Sequence, residues 1–146
     1  MQFDELYREK ILDHYRNPHH FQAGQLENYS ILQEEENSAC GDRIRLAIKV
    51  EKNKIQNIQF QGAGCSLCFA SASMLTDIVN QKSLAEAQKI SYDILEILNG
   101  ESDPKSLSIY GDMVGFAAII PYQNRMQCVM LAWQCLQHAL KKIMCE

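Results

Sequence analysis

The sequence of 146 residues predicts an α+β fold: an N-terminal helix, a small antiparallel sheet of two or three strands, and several helices packed on that sheet. Two observations lead to this class. Between residues 43 and 61, apolar and polar side chains alternate, which is typical of strands with one buried face. From residue 66 onward, apolar side chains recur at helical spacing instead. Because no internal repeat or low-complexity segment divides the chain, we expect one domain over residues 1–146.

A first helix is expected over residues 4–16. Asp4 is its expected cap, and Asn17-Pro18 should end it, because the residue before a proline disfavours helical backbone. Apolar residues recur about every four positions, at Phe3, Tyr7, Ile11 and Tyr15. This pattern predicts an amphipathic helix that packs on the rest of the protein by that face.

The sheet is expected to begin with a strand over residues 26–32, and the acidic run 34–36 is interpreted as a solvated patch beyond it. The second strand is better defined, since Ile44, Leu46, Ile48 and Val50 alternate with Arg43, Arg45, Ala47 and Lys49. Residues 51–54 predict a hairpin turn. Residues 55–61 predict the return strand, with Ile58 and Phe60 on its buried face.

Helices are expected from here to the end of the chain. Residues 66–80 predict the first of them. Ser83 and Glu86 form a capping box for the next, which should end near Leu98 because Asn99-Gly100 is a stop signal.

The C-terminal third is expected to be irregular over residues 101–112, followed by a short apolar helix over residues 112–119. Asn124 should cap the last helix. The apolar face of that helix is expected to hold Leu131, Cys135, Leu136, Ala139, Leu140 and Ile143.

The composition narrows the class of function. A net charge of −4 and the lack of a basic cluster argue against a nucleic-acid-binding surface. The acidic, polar residues 1–5 do not resemble a signal peptide, and the longest nearly apolar run, residues 113–121, is too short to span a bilayer. We therefore expect a cytoplasmic protein. Its six cysteines are then expected to bind metal, act in catalysis or be buried, rather than form disulfides.

Three cysteines and one aspartate occupy positions at which a chain commonly exposes a ligand: Cys40, Asp42, Cys65 and Cys128. Cys65 follows the glycine turn 62–64 at an expected helix start, where glycine permits unusual backbone conformations and the helix dipole favours a thiolate. Gly41 frees the backbone so that the side chains of Cys40 and Asp42 can face one point. Three thiolates and a carboxylate are compatible with a tetrahedral site for zinc or an iron–sulfur cluster.

Each of these residues also has an ordinary interpretation. Cys65 can be a buried cysteine at a tight turn, residues 40–42 can form a common turn, and Cys128 can be a packing residue on an apolar helix. Arg125, one turn before Cys128, would stabilise a nearby thiolate, although an exposed arginine at a helix start is also common.

The remaining cysteines and the histidines are interpreted differently. Cys65 and Cys68 form a bare CxxC, which allows a redox pair, but the tryptophan and the Gly-Pro usual in a thioredoxin-like site are missing. Cys135 is expected to pack within a helix, and Cys145 to be a tail thiol. The four histidines show no HExxH or comparable ligand spacing and are expected to be surface or capping residues: His14, His19, His20 and His138.

Together these pieces resemble the U-type iron–sulfur cluster assembly scaffold family, which includes IscU, SufU and the N-terminal domain of NifU. The matching segments occur in the family's order over nearly the whole chain: 6–18 (LYREKILDHYRNP), 40–44 (CGDRI), 62–66 (GAGCS), 70–74 (ASASM) and 128–133 (CVMLAW). Cys-Gly-Asp, followed by Gly-x-Gly-Cys-Ser and a late helical cysteine, is a far more specific signal than any of its parts.

The resemblance implies a function and a site. Cys40, Asp42, Cys65 and Cys128 would hold one Zn²⁺, or one edge of a transient [2Fe–2S] cluster or iron. The protein would be a scaffold or sulfur-transfer accessory, at most a sulfurtransferase. Its partners would be a cysteine desulfurase and a downstream iron–sulfur carrier or apo-protein, with no nucleic acid and no membrane. The chain would be one NifU N-terminal-like domain, as a monomer or weak dimer.

Several features resemble the SufU branch. Gln127 stands where IscU-type scaffolds have a histidine, the Leu-Pro-Pro-Val-Lys segment is missing, and extra residues around 100–120 lengthen the spacing from Cys65 to Cys128. Arg125 and residues 131–133 also resemble SufU, a branch regarded as zinc-dependent sulfur acceptors for a SufS-type desulfurase. There Cys40 would take the persulfide sulfur and Arg125 would stabilise it, whereas in the IscU branch Cys128 would be the acceptor.

Three questions stay open at this point. Cys68 stands where the family has serine or another small residue, and it is either a bystander or a spare ligand. The protein could instead be a zinc-stabilised structural interaction module, whose metal would resist weak chelators. It could also be a dithiol oxidoreductase that uses Cys65 and Cys68.

Overall fold

The computed structural model describes the backbone of residues 2–145 and the side chains of that range except those of residues 2–4, 6 and 7. The fold is α+β, as predicted. Its elements in chain order are α1 (Gln2–Arg16), β1 (Ile31–Asn37), β2 (Asp42–Glu51), β3 (Lys54–Ala63), α2 (Ser66–Val79), α3 (Leu84–Leu98), a 3₁₀ segment (Pro104–Ile119) and α4 (Gln123–Met144). Within the described range, no helix has both the length and the apolar character needed to cross a bilayer.

The three strands form one antiparallel sheet in the order β1-β2-β3. The predicted alternation on β2 is present, because Ile44, Leu46 and Ile48 are fully buried. The hairpin between β2 and β3 turns at Lys52 and Asn53, which both have positive φ. Two such residues give the turn a twist that matches the strands on either side.

The first strand was predicted too early in the sequence. The expected strand covered residues 26–32, whereas β1 is Ile31–Asn37 and contains the acidic run that was interpreted as a solvated patch. Glutamates fit here because β1 is an edge strand, where charged side chains are common. Glu34 lies opposite Arg45 on β2 and forms an ion pair with it at 2.9 Å.

The helices cover the sheet and one another. α4 packs against β1 and β2, α2 packs against β3, and α2 and α4 are in contact. α1 lies on α2, and α3 lies on α4. The largest side chains of the resulting core, Trp133, Phe60 and Phe116, are fully buried.

The helix boundaries follow their local signals in part. α3 has the predicted capping box, in which the Ser83 hydroxyl accepts the N–H of Glu86, and it ends at Leu98 as predicted. α4 begins earlier than predicted: the Tyr122 carbonyl already accepts the N–H of Arg125, so Asn124 lies inside the helix instead of capping it. α1 begins at Gln2, so Asp4 also lies inside its helix.

Some of the residues predicted to shape α1 lie outside the described side chains. These are the expected cap Asp4 and the apolar residues Phe3 and Tyr7.

Residues 101–119 are more ordered than predicted. The 3₁₀ segment begins at Pro104, where Asp103 caps it by accepting the N–H of Lys105 at 3.0 Å. Helical backbone is interrupted at Tyr110 and Gly111, the point where the predicted apolar helix should begin. A helical stretch therefore follows as predicted, but with 3₁₀ geometry.

Candidate metal centre

Cys40 and Asp42 belong to the tight connection between β1 and β2. The Asn37 carbonyl accepts the N–H of Gly41 at 2.8 Å, and Gly41 has a φ of +78°, in the left-handed region that glycine adopts readily. Cys40 is therefore exposed on the turn. Asp42, the first residue of β2, is only 2% exposed.

Cys65 is the N-cap residue of α2, as predicted from the glycine turn. Its N–H donates to Oδ1 of Asp42 at 3.0 Å, which joins the start of the helix to the start of β2. Neither Gly62 nor Gly64 has a left-handed φ, so the prediction of unusual backbone conformations is wrong. Both glycines instead allow close approach. A Cβ on Gly64 would lie 2.7 Å from Oδ1 of Asp42, and one on Gly62 would overlap the Arg43 carbonyl oxygen.

Cys128 reaches the same place from α4. Its sulfur lies 3.8 Å from the sulfur of Cys40, 88 residues away in the sequence. The ligand atoms of Cys40, Asp42 and Cys128 all lie within 4.8 Å of one another. The sulfur of Cys65 lies outside this set of three but is 3.7 Å from Oδ2 of Asp42. All four residues singled out in the sequence thus meet, with the aspartate at their centre.

Burial and hydrogen bonding determine which groups at this centre carry protons. Burial by itself would raise the pKa of Asp42, but hydrogen bonds from Cys128, Cys40 and Cys65 outweigh it and lower the pKa overall. Burial raises the pKa of the Cys128 thiol, and its hydrogen bond to Asp42 raises it further. The carboxylate is therefore the charged group toward which the thiols point.

The donor set fits a divalent cation. Asp42 is buried, yet among the described residues no lysine, arginine or histidine forms an ion pair with it. Buried carboxylates normally have a cationic or metal partner. Three thiolates and one carboxylate match the ligands of Zn²⁺. Because a carboxylate binds such metals more weakly than a thiolate does, this set suits an exchangeable ion.

Arg125 lies on the first turn of α4 and is exposed. Within the described part of the chain, its side chain has no hydrogen bond or ion pair with Cys40, Cys65 or Cys128. Its role as a stabiliser of a thiolate or persulfide stays a prediction.

The other three cysteines are not among the four residues that meet at this centre, and all six cysteines are free. Cys68 is fully buried in α2, and burial together with the nearby charges of Asp42, Cys65 and Cys40 raises the pKa of its thiol, which argues against a redox pair with Cys65. Its sulfur is not in the group formed by the ligand atoms of Cys40, Asp42 and Cys128. Cys135 is fully buried and donates to the Gln33 carbonyl at 3.3 Å, and burial raises its pKa as well. Cys145 is an exposed thiol at the end of α4.

The expectation that all four histidines are surface or capping residues is wrong for His14, which is only 4% exposed. Ligand atoms of His14, His19 and Asp77 form a second set within 4.8 Å of one another. A search for ligand spacing along one helix misses this set, because its members come from α1, the following turn and α2. The available signal was the histidine pair directly after Asn17-Pro18, which turns the chain back beside α1.

A polar cleft of about 490 Å³ adjoins the segments that carry Cys40 and Cys128. Asn37 and Ser38, just before Cys40, line one part of it, and Gln127 lines another. Further amide side chains around it come from Asn99, Gln123 and Gln134. Such groups both donate and accept hydrogen bonds, so the cleft is suited to contact with polypeptide backbone.

The chain is similar to proteins of known name. The sequence is 34% identical to the zinc-dependent sulfurtransferase SufU of Bacillus subtilis, over 95% of this chain and 92% of that protein. It is 35% identical to the iron–sulfur cluster assembly scaffold protein IscU of Streptococcus pyogenes, over 95% of this chain and 85% of that protein.

Solved structures have the same fold. A protein from Fervidobacterium islandicum, described as an iron–sulfur cluster assembly scaffold for the SUF system, matches with a TM-score of 0.78 and 27% identity, over 90% of this chain and 94% of that one. A crystal structure of a hypothetical protein matches with a TM-score of 0.83 and 35% identity, over 94% and 98% of the two chains. The model of the NifU-like N-terminal domain family matches residues 6–144. The chain therefore belongs to the NifU-like N-terminal domain family, and its resemblance to the U-type iron–sulfur cluster assembly scaffolds is confirmed.

Proposed function

We propose that this protein works in iron–sulfur cluster assembly as a zinc-dependent acceptor of persulfide sulfur from a SufS-type cysteine desulfurase. The same site would also allow it to act as a scaffold for a [2Fe–2S] cluster. One observation supports this most directly: the sulfurs of Cys40 and Cys128 approach to 3.8 Å beside the buried carboxylate of Asp42. The name of the SufU relative supports the sulfur-acceptor role, and the name of the IscU relative supports the scaffold role.

In this proposal Cys40, Asp42, Cys65 and Cys128 hold the metal. When bound there, Zn²⁺ supplies a positive partner for the Asp42 carboxylate and keeps the cysteines as thiolates that are less nucleophilic than free ones. Iron and the assembled cluster are cargo in the scaffold role, and the carboxylate makes their release easier than four thiolates would.

Cys40 is the proposed acceptor, since it is exposed on its turn while Cys128 is half-buried in α4. Its thiolate attacks the outer sulfur of the desulfurase persulfide. A new S–S bond forms on Cys40, the S–S bond of the desulfurase breaks, and the electron pair leaves on the desulfurase cysteine as a thiolate. The exchange needs no external oxidant or reductant. The polar cleft lined by Asn37, Ser38 and Gln127 offers hydrogen bonds to a segment that carries the persulfide.

Overall identity does not separate the SufU branch from IscU, because the two relatives are 34% and 35% identical to this chain. Two local features favour SufU. Gln127 stands where IscU-type scaffolds have a histidine beside the last cysteine. The extra residues between Cys65 and Cys128 form most of an ordered 3₁₀ segment, Pro104–Ile119.

Desulfurase turnover tests the proposal, measured with zinc-loaded protein, metal-free protein and the Cys40→Ser variant. We expect the zinc-loaded form to raise turnover and Cys40→Ser to abolish the effect. Cys145→Ser is the matched control, since it removes another exposed cysteine far along the chain. Mass spectrometry should find the extra sulfur on Cys40. If zinc-loaded protein is inert while iron-loaded protein builds a [2Fe–2S] cluster anaerobically, the scaffold role replaces sulfur transfer.

Removal of the metal tests the structural-module alternative. The core is built from apolar side chains such as Trp133, Phe60 and Phe116, which are fully buried without help from the centre. We therefore expect a chelator to remove zinc while the far-ultraviolet circular dichroism stays unchanged. Unfolding on zinc removal would instead indicate a purely structural ion.

A further inference from the structure

A second group of possible ligands lies where the end of α1 meets the C-terminal half of α2. It contains His14, His19 and Asp77, whose ligand atoms lie within 4.8 Å of one another. The rings of His14 and His19 are 4.5 Å apart between centroids. Nδ1 of His19 lies 2.5 Å from one oxygen of Asp77, and Nδ1 of His20 lies 3.6 Å from the other. Four polar groups thus converge on one half-exposed surface.

This group is separate from the cysteine centre. Asp77 and Cys65 lie near opposite ends of α2. Asp77 is twelve positions after Cys65, which corresponds to about 18 Å of helix at 1.5 Å per residue. A cation bound by the histidines would therefore not share ligands with the cysteines.

Hydrogen bonds define the tautomer of His14. Its Nε2 lies 2.9 Å from the Asp112 carboxylate, which can only accept a hydrogen bond when ionised, so Nε2 carries a proton. Lys10 lies 3.6 Å from the other oxygen of Asp112 and forms an ion pair with it. In the neutral ring, Nδ1 then carries the lone pair, which accepts the hydroxyl proton of Ser73 at 2.7 Å.

This is the arrangement found around metal-binding histidines. One ring nitrogen is available as a ligand, and the other donates to a carboxylate that orients the ring and raises its basicity. The three ligand atoms must move only slightly closer together to surround an ion. Donors around a tetrahedral ion lie about 3.3 Å apart, so atoms within 4.8 Å of one another must approach by at most about 1.5 Å. His19 and Asp77 can adjust, because their side chains are 50% and 40% exposed.

We propose that His14, His19 and Asp77 form a second site for a first-row divalent cation, with Asp112 as the residue that positions His14. Two imidazoles and a carboxylate suit both Zn²⁺ and Fe²⁺. The cation replaces the hydrogen bond from Ser73 to Nδ1 of His14 and the hydrogen bond between His19 and Asp77. Because it must displace these hydrogen bonds, it binds more weakly than a cation at the cysteine centre. Once bound, it ties α1 to α2.

Stoichiometry and spectra of the protein with Co²⁺ test this site. Cobalt at the cysteine centre gives thiolate charge-transfer absorption in the near ultraviolet. A second equivalent at the histidine site should add visible absorption without a further thiolate band. We expect two equivalents for the unmodified protein. Failure of the cysteine centre would remove the thiolate band, so it is distinguishable from failure of the histidine site.

His19→Gln and Asp77→Asn are the informative variants, since both side chains are partly exposed and their loss should not disturb the core. Each should weaken the second equivalent at least about tenfold and leave the thiolate band unchanged. Thermal unfolding of the metal-free variants should match the unmodified protein. His138→Gln is the control: His138 forms a similar pair with Glu35, at 2.5 Å, outside any group of three ligands among the described residues. This variant should keep both equivalents.

Displacement of the second Co²⁺ by Zn²⁺ and, anaerobically, by Fe²⁺ then identifies the preferred ion. Binding of one equivalent by the unmodified protein would overturn the proposal. So would a second equivalent that persists at full affinity in both His19→Gln and Asp77→Asn, or one that is lost in His138→Gln alone.

Discussion

Replacing Gly64 with alanine tests whether the position of Asp42 controls the metal centre. The added Cβ would lie 2.7 Å from Oδ1 of Asp42 and 3.0 Å from its Cγ, whereas ordinary van der Waals contact begins at 3.4 Å. Asp42 is 2% exposed and cannot move freely. The carboxylate must therefore shift or turn away from the N–H of Cys65, which it accepts at 3.0 Å.

The size of the effect follows from this hydrogen bond. A bond to a charged group contributes about 1.5–3 kcal/mol, and 1.4 kcal/mol is a factor of ten in an equilibrium constant. Loss of groups that orient metal ligands typically lowers metal affinity about 10- to 100-fold. We therefore expect Gly64→Ala to bind Zn²⁺ about 10- to 100-fold more weakly, measured by competition with a chromophoric chelator.

Two other glycines provide controls for this substitution. Gly24→Ala should change nothing, because its Cβ would have no atom within 4 Å and its backbone is not left-handed. Gly41→Ala should lower the free energy of unfolding by about 1–2 kcal/mol through its positive φ of +78°, although its Cβ also has free space. If folded Gly64→Ala binds Zn²⁺ as tightly as the unmodified protein, the carboxylate does not control the centre.

Three further predictions concern single side chains. Cys135→Ser should keep sulfur transfer and lower the free energy of unfolding by less than about 1 kcal/mol, because its hydroxyl can donate to the Gln33 carbonyl; a loss above about 3 kcal/mol in denaturant titration would contradict this. Burial raises the pKa of Cys68, so iodoacetamide should label it only after unfolding, and labelling of the native protein detected by mass spectrometry would refute its burial. Burial and a hydrogen bond to Asp93 raise the pKa of Tyr110 from 10.0 to about 12, so the stability it contributes is present below pH 10.0 and is lost as the pH rises toward 12. In Tyr110→Phe the free energy of unfolding should fall less steeply between pH 10 and 12 than in the unmodified protein. Equal slopes for the two proteins would refute the role of Tyr110.

Elements whose signals are local were predicted well. Ile44, Leu46 and Ile48 alternate strictly, which defined β2, and the Ser83–Glu86 capping box defined the start of α3. β1 was misplaced because its stability depends on partners elsewhere. Its glutamates were expected to be solvated, because the sequence alone does not show that Arg45 lies opposite Glu34.

The candidate site shows the same limit. Its four residues could be chosen from the sequence because each stands at a turn or helix start beside a glycine or in a family motif. The roles of Gly62 and Gly64 could not be predicted. They depend on how closely Asp42 approaches Gly64, and the backbone of Arg43 approaches Gly62, in the folded chain. The histidine group was missed for a related reason, because three separate elements supply it.

The run of small residues at 70–73 has a physical explanation in its contacts. The Ser71 hydroxyl donates to the Val129 carbonyl at 2.6 Å, which joins α2 to α4 one residue after Cys128. On the opposite side of the same helix, the Ser73 hydroxyl meets the N–H of His19 at 2.7 Å and the ring of His14 at the same distance. Small side chains let both neighbouring helices come this close. α2 thus helps to set the approach of Cys65 to Cys128 at one end and the convergence of the histidines at the other, while the β1–β2 turn supplies Cys40 and Asp42 to the first group.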